Sequence, residues 1–334
     1  MRRIGRWPGR LALAVFVGVA ALWLLVPLDG VERVSRFDPA TLGPDLDLYL
    51  AKVEAQVPGK TPGTEKRIIW AGVAGQKTQT AVLYLHGFSA TSQEIRPVPD
   101  AVARALGANL FFTRLTGHGL TGADLARAKA GDWLNDLDEA LAIGARLGTR
   151  TLIIGTSTGG TLAAIAATDP GLAKNLAKNL AGVVLISPNF RLKPLASRLL
   201  DLPAVAVWGP WVAGPTRSFT PQNQTHATYW TTSYPTAALV PLAALMRHAR
   251  EQDYAGSRVA ALFLYSEADQ VVDETATAAV AARWGGPVVV HKVLTGSGDD
   301  PYAHVIAGAA LSPGQTAPTI AVIVDWATTL PAYP

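Results

Sequence analysis

Short apolar runs alternate with helix-like segments along most of this 334-residue chain, and this alternation constrains the fold more than any other feature. Runs that are apolar on both faces are typical of strands in a parallel sheet covered by helices on both sides. The strand-like runs are residues 67–73, 81–87, 109–115, 151–156, 182–187, 259–266 and 288–294. The helical candidates lie near residues 94–106, 132–147, 158–168, 273–284 and 316–329. The pattern predicts an α/β fold with a doubly wound, mostly parallel sheet.

One segment, residues 188–257, interrupts the alternation. It is rich in Pro, Thr and aromatic residues and contains no clear strand. We interpret it as a cap inserted over the sheet of a single domain that covers residues 66–330. Residues 31–65 are predicted to be a connector, in which one amphipathic stretch could form a short helix.

Composition excludes several classes of protein. Hydrophobic residues make up 49% of the chain and charged residues 16%, which excludes general disorder. The chain contains no Cys, so disulfides, thiolate nucleophiles and zinc–thiolate sites are all excluded. The net charge of +4 comes mainly from four arginines in the first ten residues, and the rest of the chain is nearly neutral. A nucleic-acid partner is therefore not expected.

The N-terminal segment has the pattern of a membrane segment. Residues 11–28 carry no charge and would span about 27 Å as a helix, close to the thickness of a hydrocarbon core. The arginines that precede them predict a cytoplasmic N-terminus. We therefore expect residues 1–30 to anchor the protein in a lipid bilayer, with the remaining domain extracytoplasmic, or periplasmic in a bacterium. The alternative is a cleaved secretory signal that leaves a secreted protein.

The strongest chemical signal is the turn Gly155-Thr156-Ser157-Thr158-Gly159. It directly follows the apolar residues TLII (151–154) and precedes a helix of small residues. A tight turn between a strand and a helix strains the backbone of its central residue, and glycines on either side let the chain segments approach. This context predicts Ser157 as an exposed nucleophile, with Gly155 and Gly159 permitting the turn. The helix N-terminus favours negative charge on a substrate oxygen nearby.

A serine hydroxyl needs a base to accept its proton, and a histidine base needs an acid to hold its tautomer. Of the histidines that follow Ser157, only His304 lies in a loop just past the last predicted strand, so we predict it as the base. The residues after the strand at 259–266 include Asp269, which we predict as the acid. Asp299 and Asp300 are the alternatives.

Acyl transfer also requires hydrogen-bond donors for an oxyanion. The backbone N–H of Thr158, directly after the nucleophile, is one candidate. The second candidate is the N–H of Phe88, in the loop that follows the strand at 81–87. His86 precedes this loop, and we predict that it positions the turn.

With these motifs in order, the chain resembles the α/β-hydrolase superfamily over about residues 66–330, and within it the bacterial carboxylesterases and monoacylglycerol lipases. The motifs that carry the resemblance are LYLHGFSAT, RLTGHG, GDWLNDLDEAL, GTSTGG, SEADQVV and AHVIAG. The resemblance implies a triad of Ser157, Asp269 and His304, oxyanion amides at Phe88 and Thr158, and a structural role for His118. The chain departs from the usual pattern in the extended loop GSGDDPYAH before the base, and in the composition of the cap.

These observations favour a serine hydrolase that cleaves carboxylic esters through an acyl-enzyme on Ser157, with no cofactor or metal. A small-molecule ester with an apolar acyl or aryl group suits an aromatic, apolar cap. Two alternatives remain open: an aminopeptidase or amidase that uses the same triad, and a non-catalytic binding protein with the same fold. An aminopeptidase usually presents an acidic group to the substrate amine, and the cap offers Asp201, Glu251 and Asp253 for that role.

Overall fold

A seven-stranded sheet lies at the centre of the protein in the computed structural model, which describes residues 7–25, 28, 30–32, 37–169 and 179–330. The strands of the described residues, of which β6 and β7 lie outside this sheet, are β1 (Arg67–Ile69), β2 (Thr78–Leu85), β3 (Asn109–Phe112), β4 (Gly148–Thr156), β5 (Leu180–Ile186), β6 (Thr216–Ser218), β7 (Ser233–Pro235), β8 (Ala260–Tyr265) and β9 (Val288–Lys292). The order across the central sheet is β1-β3-β2-β4-β5-β8-β9. Only β1 runs antiparallel to its neighbour, and the five other strand pairs are parallel. The prediction of a mostly parallel sheet is confirmed.

Helices cover both faces of this sheet. The helices of the described part of the chain are α1 (Trp7–Leu25), α2 (Leu46–Ala55), α3 (Val98–Ala105), α4 (Gly122–Leu125), α5 (Ala130–Leu147), α6 (Thr158–Ala166), α7 (Val205–Ala213), α8 (Gln224–Tyr229), α9 (Leu239–Arg250), α10 (Glu274–Arg283) and α11 (Thr316–Thr329). Leu83 of β2 belongs to the apolar core that α5, α6, α9 and α10 complete, whereas Val82 belongs to the core that α3 and α11 complete. Successive side chains of a strand point to opposite faces, which explains why the predicted strands are apolar throughout.

The cap contains a short hairpin, which corrects our expectation that residues 188–257 hold no strand. In it, β6 pairs antiparallel with β7. Each strand has three residues, and the residues of β6 are polar and exposed. Such strands produce no apolar run, so hydrophobic patterning could not reveal them. The final helix of the segment, α9, belongs to the core, since Leu242, Leu245 and Ala249 are buried in the cluster with α5 and α6.

The predicted connector packs against the domain. Leu42, Leu46 and Leu50 are buried and join the core on the α5 side of the sheet. At the end of α2, the carboxylate of Glu54 accepts two-pronged hydrogen bonds from the guanidinium of Arg114, with Nη2 3.0 Å from Oε1. Both side chains are buried. Residues 42–54 are therefore held against the domain by apolar contacts and by a charged pair removed from solvent.

The predicted membrane segment at residues 11–28 is not supported. Helix α1 covers residues 7–25, and residues 26 and 27 lie outside the described part of the chain. Among the described residues, no helix combines the length and the apolar content needed to cross a bilayer. The extracytoplasmic location of the domain stays a prediction.

The buried pair at the end of α2 gives a test of this packing. We expect Glu54→Gln to lower the free energy of unfolding by about 3–5 kcal/mol, because the substitution leaves the Arg114 charge buried without its partner. Urea unfolding followed by circular dichroism measures the change. Glu267→Gln is the matched control, since Glu267 forms an exposed ion pair with Lys292, and it should leave the unfolding curve close to wild type. Equal effects of the two substitutions would contradict a structural role for the buried pair.

Candidate active site

Ser157 occupies a strained turn between β4 and α6. Its φ is +51°, in the left-handed region that non-glycine residues rarely adopt. The two flanking glycines are required by close contacts: a Cβ at Gly155 would lie 2.2 Å from the carbonyl oxygen of Gly159, and a Cβ at Gly159 would lie 1.9 Å from that of Leu85. The backbone N–H of Ser157 donates to the carbonyl of Ile186 in β5. The turn is therefore held against the ends of both neighbouring strands.

The structure brings the three predicted residues Ser157, His304 and Asp269 together in one hydrogen-bonded chain. The Oγ of Ser157 lies 3.1 Å from Nε2 of His304, and Nδ1 of His304 lies 2.8 Å from Oδ2 of Asp269. All three residues are buried, and Asp269 is 1% exposed. The other carboxylate oxygen, Oδ1, accepts the backbone N–H groups of Val271 and Val272. Those bonds fix the carboxylate so that it faces the imidazole.

The other carboxylates near Asp269 and His304 have different partners. Asp300 accepts backbone N–H groups at the start of the segment that carries His304, and so shapes that loop. Asp299 also accepts backbone N–H groups within its loop. Glu267 pairs with a lysine at the surface, and Asp273 caps the N-terminus of α10. Among the carboxylates after β8, Asp269 is the one hydrogen-bonded to the imidazole.

The electrostatic surroundings of His304 favour its protonated form. Burial alone would lower the pKa of His304, but the negative charge and the hydrogen bond of Asp269 outweigh it. Glu94 and Asp300 act in the same direction, so the pKa of His304 lies above its ordinary value. An imidazole in this setting can accept a proton from Ser157 and hold it as an imidazolium.

The loop after β2 carries Phe88, and the side chain of His86 fixes its backbone. Nδ1 of His86 donates to the carbonyl oxygen of Gly87 at 2.9 Å, while Nε2 accepts the N–H of Leu115. These two bonds require the neutral ring, and burial holds the pKa of His86 well below its usual value. In a trans peptide the N–H and C=O point in opposite directions. The N–H of Phe88 therefore points away from the His86 ring, in agreement with the positioning role predicted for that histidine.

The second candidate oxyanion amide belongs to Thr158, the first residue of α6. At this position a backbone N–H has no acceptor within its own helix. The Thr158 hydroxyl accepts a hydrogen bond from the side-chain amide of Asn189 at 2.7 Å, and Asn189 also accepts one from Thr161. Asn189 thus holds the first turn of α6 in place. Sequence reasoning missed this residue, because it lies in the loop after β5 and carries no motif of its own.

A second missed residue is Glu94, which is buried and 3% exposed. Its Oε2 accepts the backbone N–H of Gly87 at 2.8 Å and lies 3.0 Å from the hydroxyl of Tyr84. Burial raises the pKa of Glu94 to about 7, although its hydrogen bonds and His304 oppose the shift. In the sequence Glu94 stands at the start of a predicted helix, where an acidic residue is common. That position gave no reason to connect it with the site.

The remaining histidines lie away from the chain of Ser157 and Asp269. His118 is buried, and its ring packs against Phe88 and Trp133. Burial lowers the pKa of His118 to about 4. His226 packs between aromatic rings of the cap, His248 lies on α9, and His291 is an exposed residue of β9.

The cap hairpin contacts the Phe88 loop directly. The ring of Tyr234 in β7 meets the ring of Phe88 edge-on, with their centres 5.3 Å apart. The backbone N–H of Thr231 donates to the carbonyl of Ser89 at 2.7 Å. The loop that carries one oxyanion candidate is therefore attached to the inserted segment as well as to the sheet.

An apolar cavity of about 330 Å³ lies inside the cap. Its walls include Leu192, Leu199, Val205, Trp208, Leu239 and Val240, and none of the triad residues lines it. Leu192 forms a β-bridge with Val272, whose backbone N–H is bonded to Asp269. The cavity thus begins beside the segment that holds the acid.

Comparisons with known proteins agree with the fold described above. The family model described as "Alpha/beta hydrolase family" matches residues 82–317. A solved structure from work on the metagenome-derived lipolytic enzymes LipS and LipT has a TM-score of 0.61 at 19% identity and covers 80% of this chain and 98% of that one. A soluble variant of monoglyceride lipase from Saccharomyces cerevisiae has a TM-score of 0.57 at 12% identity, covering 78% and 90%. The two structural likenesses support the fold, and the family model supports the resemblance to α/β hydrolases stated above.

A curated relative matches over a shorter region. The thermostable monoacylglycerol lipase of Bacillus sp. strain H-257 is 35% identical over 81 residues, which are 24% of this chain. The match spans about a third of the length of that relative, 32%.

The pairing of His304 with Asp269 gives a test that needs no substrate. We expect the His304 imidazole to titrate above its ordinary pKa of about 6.5 in the wild type and at a clearly lower pH in Asp269→Asn, because the charge and hydrogen bond of Asp269 are the largest effects that oppose burial. Nitrogen-15 NMR of the imidazole across pH measures both values, and Glu251→Gln, which removes an exposed carboxylate from the end of α9, is the charge-matched control. A His304 pKa that is unchanged in Asp269→Asn would contradict the pairing.

Proposed function

The chain belongs to the alpha/beta hydrolase family, and on that premise we propose that it is a serine hydrolase that cleaves carboxylic esters through an acyl-enzyme on Ser157. The observation that carries the proposal is the hydrogen-bonded chain from Ser157 through His304 to Asp269. A serine hydroxyl, an imidazole and a buried carboxylate in this order form the arrangement that activates serine for acyl transfer on several unrelated folds.

The first half-reaction forms the acyl-enzyme. Oγ of Ser157 attacks the ester carbonyl carbon while its proton passes to Nε2 of His304, and the carbonyl π electrons move onto oxygen. Asp269 stabilises the resulting imidazolium through the hydrogen bond at Nδ1. When the tetrahedral intermediate collapses, the bond to the alkoxy group breaks and His304 returns the proton to the leaving alcohol.

The second half-reaction repeats these steps with water. His304 accepts a proton from the water, the hydroxide attacks the acyl carbon, and collapse of the intermediate releases the carboxylic acid while Oγ of Ser157 regains its proton. In both intermediates the negative oxygen needs fixed donors, and the N–H groups of Phe88 and Thr158 fill that role in our proposal. Their peptides are preorganised, one by His86 and the other by the first turn of α6.

The surroundings of the cap carboxylates favour ester over aminopeptidase chemistry. Asp201 pairs with both Arg247 and Arg250. Asp253 accepts the backbone N–H at the end of its own short turn, and Glu251 is exposed at the end of α9. Two of the three carboxylates proposed from sequence as acceptors of a substrate amine thus have other partners, and the third faces solvent.

The apolar cavity of the cap supports a substrate with an apolar acyl or aryl group. Its volume falls near the lower end of the range for small-molecule pockets, about 300–1,000 Å³, and its walls are mainly aliphatic. The relative from Bacillus, named a monoacylglycerol lipase, agrees with such a substrate. We propose that the acyl chain enters this cavity from the side of Leu192.

The nucleophile and the acid are tested by substitution. We expect Ser157→Ala to abolish both ester hydrolysis and labelling by a fluorophosphonate probe, because both require the activated hydroxyl. Asp269→Asn should lower kcat by about 10⁴-fold through loss of the correct His304 tautomer. Stopped assays with p-nitrophenyl esters measure turnover, and gel fluorescence measures labelling. Labelling that persists in Ser157→Ala would sink the proposal, as would an amino-acid amide turned over faster than every ester.

The acyl cavity is tested by a matched pair on α7. Val205 is buried in the cavity wall, whereas Val207, two residues later, is 71% exposed and lies outside the wall. We expect Val205→Phe to lower kcat/KM for long-chain esters far more than for acetate esters, because the larger ring fills the space that a long chain would occupy. Val207→Phe should leave the chain-length profile unchanged. A profile that Val205→Phe does not alter would place the acyl chain elsewhere.

A further inference from the structure

One buried carboxyl group in this site has no part in the proposed mechanism. Glu94 lies in the turn that follows the Phe88 loop and is hydrogen-bonded to the backbone N–H of Gly87 and to the hydroxyl of Tyr84. A carboxyl group is costly to bury, and fully buried Glu residues are rare unless they are paired with a cation. No lysine or arginine is bonded to Glu94 among the contacts of the described residues, so its position calls for another explanation.

Glu94 lies beside the reacting groups. A Cβ placed on Gly87 would lie 2.6 Å from Oε1 of Glu94 and 3.1 Å from Cβ of Ser157, so the carboxyl and the serine side chain border the same small space. The backbone N–H of Gly87 donates to Oε2 of Glu94, and this bond holds the His86–Gly87 peptide in place. Glu94 therefore supports the Phe88 loop from one side, while His86 supports it from the other.

Charges act between Glu94 and His304 in both directions. A protonated His304 lowers the pKa of Glu94, and an ionised Glu94 raises the pKa of His304. The charged groups that face His304 are Asp269, Glu94 and Asp300, and the titratable groups that face Glu94 are Tyr84 and His304. Asp269 is bonded to the imidazole itself, whereas Glu94 reaches it only through space.

We propose that Glu94 is a second carboxylate of the site, a positioning residue that ties down the oxyanion loop and whose ionisation stabilises the imidazolium of His304. This inference rests on the proposed serine-hydrolase function. It adds a titrating group to the site that is separate from the Ser157–His304–Asp269 chain. Burial raises the pKa of Glu94 to about 7, which is close to the ordinary pKa of an imidazole. The rise of the rate with pH on the acid side of the pH–rate profile then reflects the coupled titration of Glu94 and His304.

The direction of the effect follows from these charges. Reaction requires a neutral His304, so the rate rises with pH through the His304 pKa. Removing the negative charge of Glu94 lowers that pKa, and the acid limb must move to lower pH. The substitution Glu94→Gln retains a carbonyl oxygen to accept the Gly87 N–H while it removes the charge. If Glu94 only held the loop, Glu94→Gln would lower the rate by the same factor at every pH and would leave the midpoint of the acid limb unchanged.

The test is the pH dependence of Ser157 labelling by a fluorophosphonate probe, which does not depend on knowing the natural ester. We expect the midpoint of the acid limb in Glu94→Gln to fall by a few tenths of a pH unit or more relative to wild type. Glu251→Gln removes the same charge from the exposed end of α9 and should leave the midpoint unchanged. Coincident limbs for wild type and Glu94→Gln would overturn the inference.

A second variant keeps the inference testable if Glu94→Gln does not fold. The Tyr84 hydroxyl lowers the pKa of Glu94 through its hydrogen bond, although burial dominates the net rise. In Tyr84→Phe, Glu94 should therefore ionise at higher pH, and the limb should move in the same direction as in Glu94→Gln but by less. The double variant should match Glu94→Gln alone. A Tyr84→Phe limb that coincides with wild type, or moves to higher pH, would contradict the coupling.

Failure of the inference and failure of the proposed function give different results. If the wild-type protein neither labels nor hydrolyses any ester, the serine-hydrolase function itself is wrong. If the wild type labels and Ser157→Ala does not, the function stands, and the position of the limb decides the role of Glu94.

Discussion

The site depends on how closely the turn at Ser157 approaches the central strands. The space between α6 and the end of β2 admits no side chain at Gly159, and the turn closes on itself too tightly for one at Gly155. That closeness forces Ser157, directly before α6, into a left-handed conformation. The strain at one residue is borne by a parallel sheet whose strands are buried on both faces, so the turn has no room to relax.

The partners of each buried histidine determine the direction in which its pKa is shifted. Burial keeps His86 and His118 neutral, because no carboxylate is bonded to either ring. At His304 the same burial is outweighed by Asp269. The pKa values of three buried histidines are thus shifted in different directions according to their partners. Only the histidine with a carboxylate partner is suited to take up a proton and return it.

Sequence reasoning recovered the features that leave a local pattern. The doubly wound sheet follows from apolar runs, and Ser157 follows from its glycines and its place between a strand and a helix. His304 and Asp269 could be selected because each comes soon after a predicted strand. Glu94 and Asn189 could not, since each acts through contacts with residues distant in sequence and stands in a stretch without a motif. The hairpin of the cap and the burial of Glu54 against Arg114 escaped for the same reason.

The cap hairpin contacts the Phe88 loop, so a movement of the hairpin that opened the site would also disturb the backbone of this loop. Thr231 and Tyr234 hold the backbone and the ring of neighbouring residues in that loop. Any outward swing of the hairpin would break the Thr231–Ser89 bond and withdraw an aromatic support from Phe88. A ligand that moved the hairpin outward would therefore displace the backbone amide of Phe88, which we propose as a donor to the oxyanion. The cap hairpin therefore helps to hold the loop that carries Phe88 in place. Substrate and product would pass most easily on the side of the cap that does not contact this loop.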